Sequence, residues 1–222
     1  MCVKNRVFAL TYRFIFFCLG IVTLIWDLGF FDGNFKKGNL LYFTILSNIL
    51  CAGVFFFLII KNVIDINTKG VYGSSSISPH IKGNVMICIL LTMCVYHFIL
   101  IPYALKLNPY QTLKTSDIIF HYVIPFSMLL DWILFDEKRG FKWFDPLAWT
   151  GLPLLYVVFV FTQSRFEITA RINSHISRYV YIFLDVGTLG IRSVMMNIVC
   201  LATAFVIAGY FIYGIDRIKL EM

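Results

Sequence analysis

Leu40-Leu41-Tyr42-Phe43-Thr44-Ile45-Leu46-Ser47-Asn48-Ile49-Leu50-Cys51 opens an apolar run that continues to Ile60. About twenty predominantly apolar residues is what an α-helix needs to cross the hydrocarbon core of a bilayer. Within the run, Thr44, Ser47, Asn48 and Cys51 fall at i, i+3, i+4 and i+7, which places them on one stripe of a helix. A polar stripe on a membrane helix faces other protein or a water-lined cavity, not lipid. Two readings follow: hydrogen bonding between helices, or one wall of an active site.

The rest of the chain repeats the pattern. Apolar runs at about 7–31, 83–104, 117–135, 146–162 and 194–213 join 40–60 to give six expected spans. The chain has 222 residues, of which 59% are hydrophobic and 14% charged. Soluble domains carry about 25% charged residues, and the mean hydropathy here is +0.81. The expectation is an all-α integral membrane protein: a single domain over 1–222, six transmembrane helices in one bundle with an intramembrane polar pocket. Lys4 and Arg6 precede a first run too long for a secretory leader and without a small-residue cleavage site, so the first helix is expected to stay.

Between the spans, Lys61 to Lys82 reads as the longest polar loop, with His80 solvated in it. Thr115-Ser116-Asp117 is N-cap chemistry for the fourth helix. Gln163 to Tyr179 is polar, and Val180 to Leu189, with Asp185, reads as an interfacial or partly buried segment. An even number of spans puts both termini on one side. With the N-terminus inside, eleven Lys and Arg lie inside against eight outside, which favours cytoplasmic termini. The net charge of +7 is dispersed among short loops, which suits anionic headgroups rather than nucleic acid. Six cysteines form no CxxC, and four scattered histidines offer no HExxH spacing, so no disulfide framework, metal or cofactor is expected.

Ionisable groups within a membrane are costly and mark candidate function. Here they are His97, His121 and Asp131, with Asp117 and Asp27 near helix ends. Asp117, His121, Pro125, Met128 and Trp132 form a second stripe. Pro125 has no N–H for the carbonyl of His121, which loosens the backbone at that histidine. Thr44 and His121 each lie four residues into helices that run in the same direction, about 6 Å below the same membrane face. His97, in the oppositely directed third helix, falls about 10 Å below it. A hydroxyl nucleophile needs a base within hydrogen-bond reach. Thr44 as nucleophile and His121 as base meets that requirement. Asp117 either orients the ring or offsets the helix dipole. Asn48 either donates to an oxyanion or bonds a neighbouring helix, with Ser47 beside it on the stripe. His97 is either a second cavity wall or a satisfied bundle histidine, and Asp131 and Trp132 are supporting candidates.

Tyr42-Phe43-Thr44 with His121 and Pro125 resembles the androgen-induced, FAR-17a-like membrane protein family and its bacterial six-helix relatives. Asp131-Trp132 with Phe135, Leu152-Pro153-Leu154-Leu155-Tyr156 and Phe183-Leu184-Asp185-Val186 extend the resemblance over nearly the whole chain. Bacterial relatives read Tyr-Pro-Phe where this chain has Tyr181-Ile182-Phe183. Animal members are intramembrane threonine hydrolases that cleave fatty acid esters of hydroxy fatty acids with one Thr and one His. By motif position the resemblance puts those roles on Thr44 and His121, and implies a membrane lipid ester as substrate. The Lys-, Ile- and Phe-rich composition suggests a bacterial cell membrane. The rival expectation is a small carrier or proton-coupled permeation protein built on His97, His121 and Asp131. Asp131 discriminates: a carrier needs it, whereas the hydrolase tolerates Asp131→Asn.

Overall fold

Asn5 starts the first helix by accepting a hydrogen bond from the Phe8 N–H at 3.0 Å. The computed structural model describes residues 2–110, 112–165, 170–172 and 175–218, those at 170–172 and 175–177 by their backbone. Among the described residues six helices are long and apolar enough to cross a membrane: α1 Arg6–Asp27, α2 Phe43–Lys69, α3 Pro79–Leu107, α4 Thr115–Phe135, α5 Asp145–Arg165 and α6 Val186–Arg217. The protein is a multi-pass integral membrane protein. Large apolar side chains such as Phe57 (61% exposed) and Phe211 (70%) cover its outer surface, as a lipid-facing surface requires. Ala170–Ile172 (β1) and His175–Ser177 (β2) form a short antiparallel hairpin before α6.

Several boundaries differ from expectation. α2 runs past Ile60 to Lys69 and stops at Gly70, whose φ is 81°. The reason is that Asn62 and Asp65, polar in sequence, are buried against neighbouring protein. α3 starts at Pro79 rather than Gly83, because Pro suits a first helical turn. His80 is not simply solvated: its Nδ1 lies 2.6 Å from Asp145 Oδ2. α6 begins at Val186, where Asp185 accepts from the Thr188 N–H at 3.1 Å. It bends at Gly190 (φ 74°), a left-handed position that glycine tolerates. The polar stretch Gln163 to Tyr179 lies partly outside the described residues.

The apolar core joins Phe55 and Leu58 of α2, Met86 and Ile89 of α3 and Met128 and Trp132 of α4. Gly83 admits the rings of Trp149 and Phe141; a Cβ there would stand 2.6 Å from Trp149 and 2.8 Å from Phe141. Trp132 is part of this packing, stacked on Phe141 at 5.7 Å with the Lys138 ammonium 3.7 Å from its ring centre.

At the end of the bundle that carries the termini, charges are sealed inside. Arg13 Nε lies 2.7 Å from Asp131 Oδ1, and Lys82 bonds both Asp131 and, at 2.8 Å, Asp136. Arg13 also donates to the Ser75 carbonyl at 2.8 Å, and the Asn62 amide donates to the Arg6 carbonyl at 2.7 Å. Arg6 itself is 6% exposed, Arg13 0% and Lys82 1%. These three were counted among the eleven inner loop charges. Eleven less three leaves eight against eight, so the charge count no longer orients the protein. Arg171 (side chain) and Lys219, also in that count, lie outside the described residues.

Candidate functional site

The stripe on α2 does face protein: Thr44 is 9% exposed, Ser47 0%, Asn48 2% and Cys51 0%. Tyr42 adopts extended geometry, so Phe43 opens the helix and Thr44 is its second residue. The first N–H groups of a helix lack partners within it; that of Phe43 donates to the Tyr181 hydroxyl at 3.1 Å.

On α4, Pro125 cannot bond the carbonyl of His121, and the chain answers with a π turn over Ile119–Val123, in which the Ile124 N–H reaches the Ile119 carbonyl. α3 does the same over Tyr96–Leu100, ending two residues before Pro102. The two π turns face each other and exchange aromatic partners. The Tyr96 ring lies flat on the His121 imidazole, centroids 3.6 Å apart and planes 10° apart. His97 Nδ1 lies 2.9 Å from the Tyr122 hydroxyl.

His121 Nε2 lies 3.2 Å from Thr44 Oγ1, and its Nδ1 lies 2.8 Å from the Asp117 main-chain carbonyl. A carbonyl only accepts, so Nδ1 carries the proton and Nε2 turns its lone pair to the Thr44 hydroxyl. The expected pair is thus in direct contact, although the helices start elsewhere than the sequence suggests: Thr44 is second in α2 and His121 seventh in α4. A hydroxyl beside the free lone pair of a buried, oriented imidazole is equipped to lose its proton as it attacks an electrophile.

The supporting candidates separate. The Asp117 carboxylate does not reach the ring; Oδ2 accepts the Lys114 N–H at 3.1 Å and caps α4, leaving the orienting role to its carbonyl. Asn48 Nδ2 donates to the Thr44 carbonyl at 2.8 Å and, at 3.4 Å, to that of Phe120, so it ties the two helices together and is not free for an oxyanion. Ser47 lies 3.0 Å from Thr92 of α3. His97 is exposed on the outer surface and is no cavity wall. Asp131 and Trp132, at the opposite end of α4, belong to the ion network and the core. Among the described residues no group of three or more His, Cys, Asp or Glu side chains could hold a metal ion.

Two cavities meet at Thr44. One, of about 90 Å³, is apolar and lies among α3, α5 and α6, with Leu91, Val157, Ile198 and Phe205 in its wall. The other, of about 400 Å³, is mixed in character and opens toward the loops, lined by Asp27, Asn39, Tyr103, Lys114 and His121 among others. Thr44, Leu100 and Tyr181 line both. Tyr181 precedes a short 3₁₀ turn, Ile182–Leu184. Burial pushes its phenol up to about 12 while hydrogen bonds from the main chain of Phe43 and Thr44 pull the other way, so it keeps its proton at neutral pH. Neither Tyr181 nor Tyr96 stood out as a site residue in sequence. Tyr181 drew notice only as the first residue of Tyr181-Ile182-Phe183, and Tyr96 only stands beside His97.

Fold and site together define a multi-pass membrane protein with a buried threonine–histidine pair at the junction of two chambers. No protein-family model, curated protein or solved structure compared with the chain matches it.

Proposed function

We propose that the protein hydrolyses lipid esters within the membrane, with Thr44 as nucleophile and His121 as base. The observation that carries this is the 3.2 Å contact between Thr44 Oγ1 and an imidazole nitrogen freed by the bond of the other nitrogen to the Asp117 carbonyl. Thr44 Oγ attacks the ester carbonyl carbon while its proton passes to His121 Nε2. The acyl–oxygen bond breaks and the departing alcohol takes that proton, leaving an acyl-threonine. Water then attacks the acyl carbon, giving one proton to His121, which returns it to Thr44 as the fatty acid departs. The Tyr181 hydroxyl, held by the Phe43 N–H and lining both chambers with Thr44, would donate to the developing oxyanion.

Resemblance to the androgen-induced family supports the same reading, since the two residues its motifs select are the two in contact. A bacterial cell membrane with cytoplasmic termini remains part of the proposal, and it places the pair near the outer face. The carrier reading needs Asp131 to meet a solute, yet Asp131 is 0% exposed and bonded to Arg13 and Lys82.

The test is labelling of the detergent-purified protein with a fluorophosphonate, with adducts mapped by peptide mass. An adduct on Thr44 that disappears in Thr44→Ala and His121→Ala is expected. No adduct, together with no hydrolysis across a panel of lipid esters, ends the hydrolase reading.

A further inference from the structure

The two chambers differ in chemistry, and Thr44 stands between them. A nucleophile so placed cleaves a molecule lying through the junction, one half in each chamber. The smaller chamber is walled by Leu91, Val95, Val157, Leu201 and Phe205, with Leu154, 44% exposed, at its outer edge. It offers an alkyl chain apolar contact and a way in from the lipid side.

The larger chamber carries two carboxylates, Asp27 and Asp117, and one ammonium, Lys114. The N-termini of α2 and α4 and the C-termini of α1 and α3 open at that same end, so their dipoles roughly cancel and the side chains leave the chamber mildly negative. Both carboxylates already accept a hydrogen bond, Asp27 from the Asn39 amide at 2.9 Å and Asp117 from the Lys114 N–H at 3.1 Å. An anionic headgroup would meet two carboxylates for one lysine. A hydroxyl, which donates and accepts, matches the carboxylates, Asn39 and the phenols of Tyr42 and Tyr103 that share the wall.

We propose that the substrate is a single-chain acyl ester of an uncharged polyol, with its acyl chain in the apolar chamber and a glycerol-like alcohol in the polar one. This rests on the hydrolase reading for its chemistry: the acyl chain stays on Thr44, and the polyol takes the proton from His121 and leaves through the polar chamber. Its placement of the two halves can be tested without turnover.

The probe is a 1-O-alkylglycerol ether, which has no ester to cleave, with a diazirine at the chain end, crosslinked to the purified protein and mapped by peptide mass. Adducts are expected on the 153–157 and 198–205 segments with a hexadecyl probe, in the wild type and in Thr44→Ala alike. Ala202→Phe should lower hexadecyl crosslinking about tenfold and leave a hexyl probe unchanged; Leu201→Trp serves the same purpose should Ala202→Phe not fold. Unlabelled 1-O-hexadecylglycerol should compete at least tenfold better than hexadecanoate or hexadecylphosphocholine. Adducts on the 101–105 or 113–121 segments would reverse the placement, and equal competition by either charged lipid would overturn the polyol assignment. Failure of Thr44 to label with fluorophosphonate while crosslinking persists would remove the reaction and leave the chambers assigned. A labelled Thr44 with no crosslink in the apolar chamber would do the opposite.

Discussion

At the residue scale the site turns on one proton. With Nδ1 committed to the Asp117 carbonyl, only Nε2 of His121 is free to receive the Thr44 hydrogen. Thr44→Ser keeps the hydroxyl in the same place and should still label with fluorophosphonate, whereas His121→Gln, which supplies no comparable base, should slow labelling at least about a hundredfold. A rate for Thr44→Ser no better than that of Thr44→Ala would show that the hydroxyl is not the reacting group. Tyr181→Phe removes a single oxygen from a buried ring 7% exposed. Loss of one oxyanion donor lowers kcat by roughly a hundredfold or more, so lipid-ester hydrolysis should fall by that order while KM changes little. If KM rises and kcat holds, Tyr181 only shapes the chamber. The pairing of Thr44 with His121 was readable from sequence only in outline: the count of four residues into each helix does not hold, since Thr44 is second in α2 and His121 seventh in α4, but both lie near the starts of helices that run the same way. The role of Tyr181 was not, because it comes from a segment between α5 and α6 that has no periodicity to read.

At the element scale, the π turns aim the site. A π turn inserts one residue into a helix and rotates everything before it by about 100° relative to a regular helix, since 3.6 residues make a turn. Pro125→Ala restores an N–H that can bond the His121 carbonyl and so favours closing the π turn, swinging His121 away from Thr44. The expected outcome is loss of Thr44 labelling with little loss of thermal stability; retained labelling would mean that packing, not the proline, holds the turn. This also decides between the two readings of His97, which is bonded to Tyr122 and lines neither chamber. Its depth was right, but which face of α3 it presents could not be known, and the structure turns Tyr96 inward and His97 out. The helices themselves were legible from apolar length. Their ends were not where polar residues are buried: Asn62, Asp65 and Lys82 read as loop in sequence but fold inside helices because each finds a partner there.

At the scale of the whole molecule, one end of the bundle holds the ion network and the other the threonine–histidine pair. Arg13 and Lys82 face Asp131 and Asp136, two charges of each sign drawn from α1, α3, α4 and the residue after α4. Such a buried group contributes little net stability as a whole, but removing one member leaves an uncompensated charge and costs roughly 3–5 kcal/mol. The sequence reading held that a hydrolase tolerates Asp131→Asn; the structure adds a penalty that has nothing to do with chemistry. Asp131→Asn leaves two cations to Asp136 alone and should lower the unfolding temperature in detergent markedly. The fraction that remains folded should label at Thr44 at the wild-type rate, because neither chamber reaches Asp131. Arg13→Leu combined with Asp131→Leu removes one charge of each sign and should recover part of that loss, a non-additivity expected only of groups in contact. A carrier would behave differently: Asp131→Asn would abolish solute flux with stability intact, and the double variant would recover none of it. Measuring unfolding and labelling on the wild type and these two variants therefore separates a network that holds the helices together from one that handles a solute.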